Sequence, residues 1–412
     1  MAPSIIRSTK LIYLDHAAAT PVRAEVLRAM QPFWRQEFGN PSTLYSLGQH
    51  AHDALSRART MVAGVLEADP AEIIFTAGGS ESDTLAILGA ARAFRMSNKR
   101  GGHIITSATE HHAVLGAVKA AEELGISVSL LPVDPQGFVS IHAIIAAVQA
   151  DTFLVSIMLA NNEVGTIQPI AQISQALKKL RPQRQKNKQP TILLHTDACQ
   201  AAGYITLSVS SLGVDLLTLN GSKIYGPKQT GVLYVRKGTP LTPLIYGGGQ
   251  EYGLRSGTEN VPGAIGFARA LKLAHEERHQ EVRRISKLRN WFAEQLTKSI
   301  SNCHIHGPSL ITAGVNLLRL PNNLNVSFDN CDGEALVLYL DALHIAVATG
   351  SACATGSTEP SHVLRAMQVP PFHIRGSLRF TLGRETTKTD LIYVCRALRS
   401  VVTQQRHTST ML

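Results

Sequence analysis

No apolar run in this chain approaches the roughly 18 residues a membrane-crossing helix needs, so no span is expected. Met1 to Lys10 lacks a charged stretch followed by an apolar one, so no secretory leader is expected either. Cysteine is scarce: Cys199, Cys303, Cys331, Cys353 and Cys395 are odd in number and not closely paired. That argues against a disulfide framework and a cysteine-based zinc motif, and favours a reducing, cytoplasmic setting. A Walker lysine and a strand-linked GxGxxG are both missing, so no nucleotide fingerprint stands out. Aromatic residues are only 5% of the chain, and none interleaves with its most basic stretch, Lys178 to Lys188. A stacking platform for bases is therefore lacking, and no nucleic-acid partner is expected.

What is present is a chain of 412 residues, 44% hydrophobic and 17% charged, long enough for two domains with a large core. Its net charge is +10, much of it within Lys178 to Lys188. We expect that segment to be a solvated loop, an insertion between a helix and the strand Ile192 to Thr196. Nucleic-acid binding, disfavoured by the missing aromatics, or an acidic partner protein is the alternative.

Along the chain, strands and helices alternate. A helix is expected from Thr20-Pro21 to about Phe38, and another from Gln49 to Leu66. Strands are expected at Glu72 to Thr76, His103 to Ser107, Ser127 to Leu131, Phe153 to Ile157, Ile192 to Thr196, Val214 to Leu219 and Gly231 to Val235. Alternation of this kind predicts an α/β fold with a mainly parallel sheet covered on both faces. From Val261 the pattern changes. A long charged helix, Pro262 to Ile300, precedes short strands at Leu324 to Phe328, Ile345 to Thr349 and Ser377 to Leu382. The expected division is a large domain, 15–262, and a smaller α+β domain, 1–14 with 263–412.

The residues that carry chemistry fall where strands end. Cys353 lies among small residues flanked by Gly350 and Gly356, a tether on which a thiol could move. The other reading is a buried structural cysteine. Lys223 ends a polar turn after Val214 to Leu219. Partial burial there would lower its pKa and suit a Schiff base with an aldehyde cofactor; an ordinary surface lysine is the alternative. Gly78-Gly79-Ser80 sits between a strand and a helix, where amides can hold a phosphate. Asp197 could protonate a pyridine nitrogen or cap a helix. Gln200 follows it. His111 could stack on a ring or start a helix at the surface, and Asn162 also follows a core strand. Ser80, His111, Asn162, Asp197 and Lys223 thus share the sheet edge where ligands bind. Arg379 stands inside an apolar strand, which is costly without a partner and suits a carboxylate clamp.

The motifs Tyr13-Leu14-Asp15-His16-Ala17-Ala18, Gly39-Asn40-Pro41-Ser42, Thr109-Glu110-His111, Asn161-Asn162-Glu163-Val164-Gly165, Lys223-Ile224-Tyr225-Gly226-Pro227-Lys228, Arg255-Ser256-Gly257-Thr258, Gly350-Ser351-Ala352-Cys353 and Glu359-Pro360-Ser361 occur in this order. With them the chain strongly resembles the pyridoxal-phosphate-dependent cysteine desulfurases, of the housekeeping iron–sulfur and nitrogenase-associated group. The resemblance implies a fold-type-I homodimer that uses pyridoxal 5'-phosphate and L-cysteine, and passes sulfur to an acceptor such as an iron–sulfur scaffold. It implies that Lys223 carries the cofactor, that His111 stacks on it and exchanges protons, and that Asp197 pairs with its ring nitrogen. Gln200 and Asn162 would lie near the phenolic oxygen and the substrate carboxylate. Gly79, Ser80, Asn220 and Ser222 would line the cofactor site, with Thr258 reaching it from the other subunit. Arg379 would clamp the carboxylate of cysteine, and Cys353 would take the sulfur as a persulfide. Two departures stand out: Ser222 replaces the family's histidine before the lysine, and Thr84 stands where asparagine is usual. Selenocysteine lyase or a related class-V aminotransferase is the alternative reading.

Overall fold

The computed structural model describes residues 10–98, 101–310, 317–350 and 360–409. Twelve strands occur among them: β1 (Ile12–Tyr13), β2 (Ile73–Thr76), β3 (His103–Ser107), β4 (Ser127–Leu131), β5 (Thr152–Ser156), β6 (Leu193–Asp197), β7 (Leu216–Asn220), β8 (Gly231–Val235), β9 (Cys303–His306), β10 (Asn323–Phe328), β11 (Ile345–Ala346) and β12 (Ser377–Thr381). Seven form one sheet in the order β2-β8-β7-β6-β5-β3-β4, and only β8 runs against the rest. The expected mainly parallel α/β sheet is therefore present.

Strand alternation explains why both faces are covered. Ile73, Phe75, Ile105, Val155, Leu217 and Leu219 face one apolar cluster, whereas Ile74, Ile104, Leu154 and Leu216 face another. Successive side chains on a strand point to opposite faces, so near-continuous apolar strands need helices on each side. The helices Gly79–Ser97 and His112–Glu122 cover the second face. Ser46–Leu66, Ile170–Lys186 and the first half of the long helix Val261–Ser299 cover the first.

A second core gathers β10 and β12 with Ile12, Leu14, Ile285, Phe292, Leu296, Leu391 and Leu398. Its sheet is antiparallel, in the order β12-β10-β9, and β1 pairs in parallel with β11 nearby. Val261–Ser299 thus buries Phe267 and Leu271 in one core and Phe292 and Leu296 in the other. No helix among the described residues is long and apolar enough to cross a membrane.

Two expectations need correction. The helix read from Thr20 to Phe38 is two shorter ones, Ala24–Met30 and Pro32–Arg35. Pro32 lacks the N–H that would continue the first helix. Thr20 does not cap it, because its hydroxyl donates to the Ser222 carbonyl and accepts from the Tyr225 amide. The basic segment Lys178 to Lys188 is not a loop. It is mostly the end of the helix Ile170–Lys186, with Pro182 inside and Arg184 buried. Arg184 donates to the carbonyls of Gln149, Ala150, Thr152 and Pro190, so it locks this helix to the start of β5.

Candidate active site

The carboxyl ends of β2, β3, β5, β6 and β7 open on a cavity of about 160 Å³. It is lined by Gly79, Ser80, His111, Asn162, Asp197, Gln200, Asn220 and Lys223, with Ala17, Asp83, Met158 and Cys199 completing the wall. One fold therefore brings together residues that lie between 17 and 223 in the sequence. The parallel sheet does this because each crossover returns the chain to the same edge.

β2 hands over to Gly78 at φ 150°, a conformation that favours glycine. Gly79 then begins the helix Gly79–Ser97, and a Cβ added there would lie 2.8 Å from Cys199 Sγ. Only a bare backbone leaves the cradle open, and the helix start presents unpaired amides to it. Arg255 pairs with Glu81 at 2.9 Å, and Glu81 accepts from the Ala77 amide, so the turn is held from outside. Thr84 donates to the Ser80 carbonyl at 2.6 Å, one helical turn back.

Lys223 follows β7 in a single 3-10 turn, and its Nζ donates to the carbonyls of Ala17 at 2.9 Å and Ala18 at 2.6 Å. Gln200 Nε2 donates to the same Ala17 carbonyl at 3.0 Å. The Asp15-His16-Ala17-Ala18 motif is thus a backbone seat for the cavity's amine, a role invisible in the sequence because its partners lie about 200 residues away. Ser222 directs its hydroxyl at Asn220 Oδ1, 3.1 Å away, and is not among the lining residues. Thr258 is exposed and also lies outside the lining.

His111 caps the helix His112–Glu122. Its Nδ1 accepts the Ala113 amide at 3.1 Å, so that nitrogen holds no proton and Nε2 carries it. Burial lowers the pKa of this ring, in keeping with a neutral imidazole. Asp197 ends β6 and accepts the Cys199 amide at 2.8 Å. Asp83, in the second turn of Gly79–Ser97, is fully buried beside it. Burial and then the Asp197 charge push Asp83 well above the usual carboxylate range. Two carboxylates sharing a dry site cannot both ionise cheaply.

Three further acids escaped sequence reasoning as site residues: Asp83, Glu110 and Glu163. Glu110 is buried, and desolvation raises it to about 8. It accepts from the Ser107 hydroxyl and, with both oxygens, from the Met158 amide, so it staples the ends of β3 and β5 together. Glu163 is raised by burial to about 7 and accepts from the Ser361 hydroxyl at 2.5 Å. A Cβ at Gly350 would lie 2.5 Å from Glu163 Oε2. Glu163 thus meets the chain on both sides of 351–359. Cys353 lies in that stretch, outside the described residues. Beyond it, His362 Nε2 donates to the Glu110 carbonyl at 2.9 Å.

Arg379 sits at the middle of β12 and is 1% exposed. It pairs with Asp15 at 2.8 Å and donates to the Asn162 carbonyl at 3.3 Å, while its buried Nε has no hydrogen-bond partner among the described residues. It therefore adjoins the cavity through Asn162, with one donor still unused.

A family model described as Aminotransferase class-V matches residues 12–394. The cysteine desulfurase IscS of Dictyoglomus turgidum is 46% identical over 96% of this chain and 95% of its own. A solved NifS-like protein superposes with a TM-score of 0.85 at 37% identity, covering 98% of this chain and 100% of that one. The protein SspA, solved in complex with cysteine, gives a TM-score of 0.75 at 33% identity over 90% of this chain and 98% of its own. The matches span nearly the whole chain, and residues 12–394 include all that line the cavity, so the chain belongs to the class-V aminotransferase family and, within it, to the pyridoxal-phosphate-dependent cysteine desulfurases.

Proposed function

We propose that this chain takes the sulfur of L-cysteine onto Cys353 as a persulfide, releases L-alanine, and hands the sulfur to an acceptor protein, an iron–sulfur scaffold being the kind expected. One observation carries the reading: Lys223, Asp197, His111 and the Gly79–Ser80 helix start line a single cavity. These residues fit pyridoxal 5'-phosphate. The glycine cradle closes if a Cβ is added at Gly79, and it lies at a helix start that suits a phosphate. Asp197 is a carboxylate on the wall, suited to a ring nitrogen. When bound there, the cofactor supplies an aldehyde for the substrate amine and a ring that accepts an electron pair from carbon.

The chain's own residues do the rest. Lys223 Nζ holds the cofactor and then moves protons at the substrate carbons. Asp197 keeps the ring nitrogen protonated, and neutral Asp83 behind it adds no second charge. His111 offers the Nε2 proton while the Ala113 amide fixes the ring's tautomer. Arg379 binds the substrate carboxylate with the donor that Asp15 leaves unused. The Cys353 thiolate attacks the substrate sulfur. An S–S bond forms as the carbon–sulfur bond breaks, the electron pair stays with carbon, and a proton replaces sulfur there. No external oxidant or reductant is needed.

We further read the chain as a large domain, 15–262, with a small one made of 1–14 and 263–412. The two separate apolar cores support this. A homodimer is supported by exposed Trp34, Phe38, Leu44, Tyr45, Tyr246 and Tyr252, and by Thr258, which lies outside the lining of its own cavity. A cytoplasmic setting is supported by Cys199, Cys303, Cys331 and Cys395, none of which forms a disulfide.

The test is to supply L-cysteine to the purified yellow protein and follow alanine and protein-bound sulfur. Wild type should form both. Cys353→Ser should still change colour with cysteine yet bind no persulfide sulfur. Normal alanine output from that variant would remove Cys353 from the reaction. Faster turnover of selenocysteine than cysteine would favour the lyase reading.

A further inference from the structure

Away from the cavity, β9, the turn after β10 and the short helix Pro371–Arg375 meet at three side chains. His304 Nε2 lies 3.2 Å from Asp329 Oδ1, and His373 Nε2 lies 3.1 Å from the same oxygen. The ligand atoms of all three residues fall within 4.8 Å of one another. The two imidazoles stand side by side, ring centroids 4.1 Å apart, with their Nε2 atoms turned to one carboxylate.

Hydrogen bonding accounts for part of this arrangement only. His304 Nε2 bonds Asp329 Oδ2 at 3.3 Å. Oδ1 is buried and takes part in no hydrogen bond among the described residues, although two ring nitrogens lie within 3.2 Å of it. The separations are close but the directions are wrong for N–H to O. Ligands around a shared ion look like this: each nitrogen points at the ion, not at its fellow ligand. Zinc bonds of about 2.0–2.2 Å to nitrogen and oxygen put tetrahedral ligand atoms about 3.3–3.5 Å apart, close to the spacings seen.

We propose that His304, Asp329 and His373 form a site for a divalent transition metal of the zinc type. Two imidazoles and one carboxylate are three of four tetrahedral positions, and the fourth faces solvent, since the His304 side chain is 41% exposed. His306 is not the fourth ligand, because its Nε2 is engaged with Ser327 Oγ at 2.7 Å. Burial lowers the pKa of His373, which helps it enter as the neutral base a metal requires. The ion would tie the edge strand β9 to segments 25 and 69 residues further along, closing two loops in the second core. The site is independent of the cofactor cavity and of the sulfur chemistry proposed there.

The test uses the cofactor-loaded protein, stripped with a chelator and titrated with zinc and with cobalt(II). Wild type should bind one equivalent, show cobalt ligand-field bands typical of a tetrahedral site, and unfold at a higher temperature with metal present. Asp329→Asn and His373→Ala should each weaken zinc by at least the roughly 10–100-fold that loss of an outer partner costs, and should abolish the thermal shift. His306→Gln should leave both unchanged, and the yellow colour reports that each variant is folded. Absence of saturable zinc binding in wild type overturns the proposal. So does zinc that binds the Asp329→Asn and His373→Ala variants as tightly as wild type, for it then sits elsewhere.

Discussion

The edge of the large sheet buries acids, and the second core buries bases. Around the cavity, desolvation raises Asp83, lifts Glu110 to about 8 and Glu163 to about 7. On the other side, burial lowers Arg319 to about 9 and Arg289 to about 10. The same physics acts on both, since a dry surrounding penalises whichever form is charged. Arg319 donates to the carbonyls of Val164 and His306, and Arg289 to that of Leu320, so backbone dipoles stabilise these bases in place of a carboxylate. Arg379 differs, for it has Asp15 at 2.8 Å and Glu163 nearby. The two regions meet along Asn162, Glu163 and Arg379. In the proposed reaction, the carboxylate of the substrate would face Arg379 along that seam.

Breaking the acid side at its cavity-lining amine should have the largest effect. Lys223→Ala should cost roughly 10³-fold or more in alanine formation, the scale of proton-transfer and covalent catalysis, and should remove the yellow colour. A yellow, borohydride-trappable variant would move the role to another lysine, Lys228 being the nearest in sequence. On the basic side, Arg379→Lys keeps the charge but loses the fork. KM for cysteine should rise about tenfold to a hundredfold, the worth of one or two charge-assisted hydrogen bonds. An unchanged KM would mean that the seam does not read the carboxylate.

A buried base far from the seam should matter for stability alone. Arg184→Ser strands carbonyls at the start of β5 and should cost about 2–4 kcal/mol in unfolding free energy, with turnover of folded protein preserved. Serine at the exposed Lys178, Lys179, Lys186 and Lys188 should stay within about 0.5 kcal/mol per site. Equal losses would erase the distinction between Arg184 and its neighbours.

The last effect is a slope, read against pH. Glu110 is raised from 4.5 to about 8, so between those values the folded protein holds the extra proton. Its contribution is complete below pH 4.5 and is lost as pH rises toward 8, by at most about 1.4 kcal/mol per pH unit. His195 and His306, lowered by burial to about 4, act oppositely but only up to their ordinary 6.5. Glu110→Gln should therefore lessen the slope between pH 6.5 and 8, where Asp83 and, up to about 7, Glu163 still contribute. A slope as steep as wild type in that window would assign the proton to another group.

The sheet was legible because near-continuous apolar strands alternate with helices, and β3, β4 and β8 fall at their expected limits. The cavity was legible wherever a residue follows a strand, as with Ser80, His111, Asn162, Asp197 and Lys223. Residues whose partners are remote were not legible as parts of the site. Ala17 acts through its carbonyl, which its side chain does not advertise. Glu110 and Glu163 read as motif letters until their depth is known. The basic segment misled because lysine, arginine and proline resemble a loop. Its signal was the helical spacing from Ile170 through Ile173 and Leu177 to Arg184, which continues the buried stripe.

Glu163 has one more consequence. Because Gly350 packs against it, the chain entering 351–359 starts from a fixed post. Cys353 is three residues along, and an extended chain covers at most about 3.6 Å per residue, so its Cα stays within about 11 Å of that post. Nothing that follows Cys353 in the sequence can extend that limit. On the role proposed for Cys353, the substrate sulfur must lie inside that radius extended by the length of a cysteine side chain. Each residue inserted between Gly350 and Cys353 would widen the sphere by about 3.5 Å, whereas insertions after Cys353 would leave it unchanged.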